Sequence, residues 1–118
     1  MLNIIEQADA DFICLQEMTS EIYDHFLQND YIKGIFSAGG SVSPNAANLI
    51  SYDTIIISKF KCHYYECEFT SLMYRKLILA EAVLPIPLIV ASSHFESLDS
   101  TRIRLWQLQD SFKILKAA

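Results

Sequence analysis

Three stations along the chain carry side chains suited to chemistry. The first is Glu17, a carboxylate that directly follows the apolar run Phe12-Ile13-Cys14-Leu15 and Gln16. If that run is a buried strand, Glu17 sits at a sheet rim, a common place for a metal ligand. The alternative is a Glu in the first turn of the next helix, where the helix dipole favours negative charge. The second station is Ser92-Ser93-His94-Phe95-Glu96-Ser97. His94 can donate a hydrogen bond to a phosphoryl oxygen or shuttle a proton near neutral pH, Ser97 can donate another, and Glu96 can orient one of them. Its plain alternative is a strand end whose His is hydrogen-bonded.

The third station is Arg75, between Tyr74 and Lys76. A guanidinium holds phosphate bidentately or lies over an aromatic leaving group, which Lys does poorly; otherwise it is a solvated Arg on a strand edge. Arg102 and Arg104 open the last helix, where the dipole disfavours cations, so an anionic ligand would account for them better than helix stability does. Two further chemistries are disfavoured. No Ser lies in a G-x-S-x-G elbow, and Cys62, His63 and Cys67 form a C-x4-C without the second ligand pair of a structural zinc site.

These residues need elements to position them. Leu2, Ile5 and Ala8 recur at helical spacing, and Phe12 to Leu15 reads as a short buried strand closed by Gln16-Glu17-Met18. Thr19 or Ser20 caps a helix carrying Ile22, Tyr23, Phe26 and Leu27, which ends at Asn29-Asp30. Tyr31 to Phe36 reads as a short strand, and Ser37 to Asn48, rich in Ser, Gly and Asn, as a surface loop. Leu49 to Ser58 is β-branched and aromatic, and the unbroken run Thr54 to Ile57 suits a central strand covered on both faces. After a turn at Lys59 to Lys61, His63 to Phe69 reads as a more exposed strand. Leu77 to Leu84 and Leu88 to Ser93 form an antiparallel hairpin around Pro85-Ile86-Pro87. Leu105, Leu108, Phe112 and Leu115 mark an amphipathic C-terminal helix. The sum is a layered α/β (α+β) domain with a mostly antiparallel sheet.

Composition narrows the function classes. With 118 residues, 52% hydrophobic and 19% charged, the chain builds a core and is not a disordered segment. Its net charge of −5 does not suit a protein that coats nucleic acid nonspecifically, so any phosphate-binding surface is local. No stretch reaches the ~20 apolar residues of a membrane span, and the start lacks the pattern of a signal peptide. Cys14, Cys62 and Cys67 are odd in number and sparse, and Cys14 reads as a small buried thiol. Together these readings predict a cytoplasmic or nuclear protein.

The three stations, in this order, resemble the endonuclease/exonuclease/phosphatase family. Ala10-Asp11-Phe12-Ile13-Cys14-Leu15-Gln16-Glu17 is similar to its D-x-I-x-L-Q-E motif. Thr70 to Leu77, Ser93-His94-Phe95-Glu96-Ser97 and Arg104-Leu105-Trp106-Gln107-Leu108 look most like the tyrosyl-DNA phosphodiesterase 2 branch. The resemblance implies a four-layered α/β sandwich and a Mg2+-dependent phosphodiesterase, with Mn2+ as a substitute, acting on 5′-phosphotyrosyl-DNA or a similar phosphodiester. It implies Glu17 as metal ligand, His94 and Ser97 at the scissile phosphate, and Arg75 and Tyr52 on the leaving-group side. The family's Trp-Asn first strand and its later G-D-x-N and Asp-His elements have no counterpart here. The sole Trp is Trp106, none of Gly34, Gly39 and Gly40 precedes an Asp, and Asp24-His25 lies within a helix without the preceding Ser. The expectation is a partial domain over 1–118. The alternatives are a module that binds without turnover, or another branch of the same family.

Overall fold

A computed structural model of the chain describes residues 2–49, 53–68, 71, 76–83, 87–94 and 101–117. In chain order these form α1 (Leu2–Ala8), β1 (Phe12–Met18), α2 (Ser20–Leu27), α3 (Asp30–Ser37), β2 (Ser41–Val42), a 3-10 helix (Pro44–Asn48), β3 (Asp53–Ser58), β4 (Cys62–Glu68), β5 (Lys76–Ala82), β6 (Leu88–Ser92) and α4 (Thr101–Ala117). The strands pair antiparallel in two sheets of three, ordered β1-β3-β2 and β4-β5-β6. The mixed α/β architecture read from the sequence is present, as are the central strand and the β5-β6 hairpin.

β3 is the middle of its sheet, and Ile55, Ile56 and Ile57 are all fully buried. Alternate side chains of a strand point to opposite faces. Ile55 and Ile57 accordingly join Ile13, Met18, Tyr23, Phe26, Ile32 and Ile35 in a core under α2 and α3. Ile56 faces the other way and packs on Ile78 and Ala80 of β5, flanked by Phe12, Cys62 and Tyr64. A layer of helices, one sheet and then the second sheet follow from this one strand. Leu77 and Leu79 alternate with Ile78 and Ala80 and are equally buried, so β5 is covered on both faces.

Two stretches depart from expectation. Residues 31–36 are helical, within α3, because Asn29 acts as an N-cap: its Oδ1 accepts from the backbone N–H groups of Tyr31 (2.9 Å) and Ile32 (3.2 Å). Asn29-Asp30 thus ends one helix and starts the next. α3 stops in a Schellman motif, with Gly40 N–H donating to Ile35 O, Gly39 N–H donating to Phe36 O, and Gly39 at φ +99°. Gly40 must lack a side chain, since a Cβ there would lie 2.6 Å from both Ile35 O and Ser58 O.

The second departure is Ser37 to Asn48, which is not simply a surface loop. It contains β2 and the 3-10 helix, and the side chains of Ser43 and Asn45 bond β3. Ser43 is fully buried, its N–H donating to Ile56 O (2.9 Å) while its Oγ accepts from Ile56 N–H (3.1 Å). Asn45 Nδ2 donates to Thr54 O (2.7 Å).

α4 also inverts its apparent amphipathicity. Leu105, Leu108, Phe112 and Leu115 are exposed, as is Trp106, whereas Gln107 and Ser111 are buried. No helix among the described residues is long and apolar enough to cross a membrane.

The end of α1 is fastened by charge. Lys59 Nζ donates to Asp9 Oδ1 (2.6 Å) and Asp9 O (3.1 Å), and Tyr31 Oη donates to Asp9 Oδ1 (2.6 Å). The Lys59 hydrogen bond, then that of Tyr31, holds the Asp9 carboxyl below its ordinary 3.8. A depressed carboxylate pKa contributes stability that is present above the unfolded-state pKa and is lost as pH falls through the folded-state value. Asp9→Asn is therefore expected to lower the melting temperature near neutral pH, and the difference from wild type should close below pH 3.8. Melts followed by circular dichroism across this range check it; a difference independent of pH would show that the carboxylate charge is not what is lost.

Candidate active site

β1 reaches the site through a bulge. Ile13 and Leu15 point to the helical core, whereas Phe12 lies on the face toward the second sheet. Cys14 and Gln16 share that face, Cys14 beside Ser92 and Gln16 bonding Ser93. Strict alternation would send Glu17 toward the helices with Leu15. The register prevents this: Leu15 pairs with Ile55 and Met18 with Asp53, three steps along β1 against two along β3. One extra residue is accommodated, as in β-bulges, which often re-aim a side chain near active sites. Glu17 has φ +57°, and Met18 returns to the helical core, 2% exposed. For a residue with a Cβ this left-handed conformation costs about 1–2 kcal/mol.

The re-aimed carboxylate meets His94. Glu17 Oε1 lies 3.8 Å from His94 Nε2, with the Glu17 side chain 67% exposed and that of His94 19%. This is ion-pair distance for a protonated imidazole and too long for a direct hydrogen bond. His94 Nδ1 is buried and has no hydrogen-bond partner among the described residues. The preceding residue is held firmly: Ser93 Oγ donates to Lys76 O and Ser93 O accepts from Gln16 Nε2, both at 2.8 Å. Met18 pairs with Asp53, Ser92 pairs with Ile78, and Ser93 bonds Lys76. The end of β1, the start of β3, the start of β5 and the end of β6 thus form one rim across both sheets.

Of the residues expected at the site, Glu17 and His94 are brought together. Tyr52, Arg75 and Ser97, with Glu96, lie outside the described residues. Glu17 is not in the first turn of a helix, because Thr19 is the N-cap of α2 and accepts from Ile22 N–H (3.3 Å). Arg104 lies in the first turn of α4, where Nη2 donates to Thr101 Oγ1 (3.0 Å).

Cys14 is exposed rather than buried, because β1 is an outer strand of its sheet. Partial burial of the thiol against the second sheet still pushes its pKa up, opposed by a hydrogen bond with Ser92. Cys62 and His63 alternate on β4, the Cys62 thiol donating to Ser58 Oγ (3.5 Å) while His63 is exposed. Alternation thus gives the two side chains opposite faces. Gln16 and Ser93 were missed by sequence reasoning. The usable signal was parity: Gln16 shares a strand face with Phe12 and Cys14.

Glu17 fits one position of a Mg2+ site. Mg2+ takes hard oxygen donors and is commonly held by one or two carboxylates together with water and substrate phosphate. An accessible carboxylate on a sheet rim meets that requirement as a single ligand. Among the described residues no cluster of three or more His, Cys, Asp or Glu side chains is suited to hold a metal.

The strain at Glu17 makes a stability test possible. Glycine adopts positive φ without the Cβ penalty, so Glu17→Gly is expected to leave folding stability unchanged or raise it by about 1 kcal/mol. Urea unfolding measures this, and a loss of more than about 1 kcal/mol would show that the carboxylate stabilises the fold rather than being held against strain. Comparison of the chain with protein-family models, with curated proteins and with solved structures finds no match.

Proposed function

We propose that this chain carries the centre of a Mg2+-dependent phosphodiesterase, acting on 5′-phosphotyrosyl-DNA or a similar phosphodiester. The observation that carries the reading is the approach of Glu17 Oε1 to His94 Nε2, 3.8 Å apart across two sheets, by way of a conformation that costs energy. Energetically unfavourable backbone that persists in a fold clusters at functional sites. Among the described residues the buried His94 Nδ1 likewise has no partner, which leaves it open to a ligand.

In this reading Glu17 is a metal ligand, and Mg2+, when bound, polarises a phosphoryl oxygen. His94 donates a hydrogen bond to the phosphate, and Ser97 adds a second. Arg75 and Tyr52 line the leaving-group side, where a guanidinium and a ring suit an aromatic leaving group. These three residues are near described parts of the rim in sequence: Tyr52 precedes Asp53, Arg75 precedes Lys76, and Ser97 follows His94 by three positions. The net charge of −5 is compatible with an anionic substrate when a cation and a few Arg residues make the groove locally positive. Covered faces on both sheets support the four-layered sandwich, and the composition supports a cytoplasmic or nuclear setting.

A second reading is binding without turnover. This sequence contains no Gly-Asp pair, the start of the G-D-x-N element that supplies an Asp to activate water in the family it resembles. Catalytic groups that act as a unit lose most of their effect together. One experiment separates the readings: incubate the chain with Mg2+ and a 5′-phosphotyrosyl oligonucleotide, and measure both binding and tyrosine release. Release that falls by about 100-fold or more in Glu17→Gln and His94→Ala is the expected result for an electrostatic site. Mg2+-dependent binding with no release would establish the second reading, and neither binding nor release would overturn both.

A further inference from the structure

The geometry points to Gln16 as the positioning residue of the site, its side-chain amide clasping the Ser93 carbonyl and thereby setting His94 opposite Glu17. The inference rests on the reading of Glu17 and His94 as the centre of that site. β1 and β6 are outer strands of different sheets, and no backbone ladder joins them. The bond from Gln16 Nε2 to Ser93 O, 2.8 Å long, bridges them over 77 positions of sequence.

The atom that Gln16 holds matters. The Ser93 carbonyl and the His94 N–H belong to one planar peptide unit, so fixing the carbonyl fixes the plane from which His94 departs. Ser93 Oγ, bonded to Lys76 O, secures the same residue to its own sheet. Among the described residues Nδ1 has no hydrogen-bond partner, and Nε2 stands too far from Glu17 for a hydrogen bond. What the described contacts hold is the backbone next to the imidazole. Gln16 suits this role chemically. Glu at this position would keep the shape but present an acceptor to an acceptor, Leu would keep much of the reach without a donor, and Asn would fall a methylene short. Gln16 is also exposed and contributes little to the core, which separates its role from folding.

The chain contains three histidines, His25 on α2, His63 on β4 and His94, so ring carbon–proton NMR reads the site with two internal references. Gln16→Leu and Gln16→Glu are each expected to shift or broaden the His94 ring signals while leaving those of His25 and His63, and the melting temperature, close to wild type. With Mg2+ and the phosphotyrosyl oligonucleotide, both variants should lose about tenfold or more in kcat with KM within about twofold, as misplacement of a reacting group does. Unchanged His94 signals overturn the proposal, as does an unchanged kcat where wild type turns over. Movement of all three histidines with a lowered melting temperature also overturns it, by showing a general structural role. If wild type shows no release but the His94 signals alone respond, the positioning role stands and the phosphodiesterase reading falls.

Discussion

The structure depends on β3 being buried on both faces. Ile55 and Ile57 secure the helices to one side of the strand, and Ile56 secures the second sheet to the other. Burying an Ile side chain contributes roughly 1.5–3 kcal/mol, so these three residues together rival the net stability of about 5–15 kcal/mol typical of a domain. The consequence reaches the candidate site directly. Glu17 is carried by the sheet of β3 and His94 follows a strand of the other sheet, so without the Ile56 contact the two side chains would have no fixed relation.

Polar bonds then pin the sheets at the two ends of that strand. Near Ser58, Ser41 Oγ donates to Phe60 O (2.6 Å) and lies 2.9 Å from Tyr64 Oη, joining β2 to β4. Burial pushes the Tyr64 hydroxyl up to about 12, against a hydrogen bond with Ser41, so this fastening stays neutral through the ordinary pH range. Near Asp53, the exposed Gln16–Ser93 bond crosses between the sheets beside Glu17 and His94 and orients the Ser93 peptide. The apolar contact sets the distance between the sheets. Hydrogen bonds contribute modestly to net stability, but a buried polar group left without a partner is costly, which gives such bonds their selectivity.

The same economy explains why several local patterns pointed the wrong way. Ser43 and Asn45 have the composition of a loop, yet they replace ladder bonds along β3. In α4 the periodic Leu and Phe positions stand exposed while Gln107 and Ser111 are buried, with Ser111 Oγ donating to Gln107 O (2.8 Å). A helical period identifies the helix; it does not say which face the rest of the molecule covers. Asn29 shows the converse, since a residue that ends one helix can satisfy the first N–H groups of another.

Elements with strong periodicity were readable from the residues alone: the central strand around Ile55 to Ile57, the helix opening at Thr19 or Ser20, the strands on either side of the prolines, and the C-terminal helix. The sequence also marked Glu17 and His94 as strand-end residues. These were legible because apolar spacing, caps and breakers act over a few neighbouring residues. Contacts between distant segments were needed to show that Glu17 turns to meet His94, that Gln16 reaches Ser93, and that Cys14 lies exposed on an outer strand. All three depend on which strands neighbour one another, and the turn of Glu17 depends also on a one-residue slip between β1 and β3. Such a slip reverses the face of every residue beyond it, and no local pattern in β1 records it.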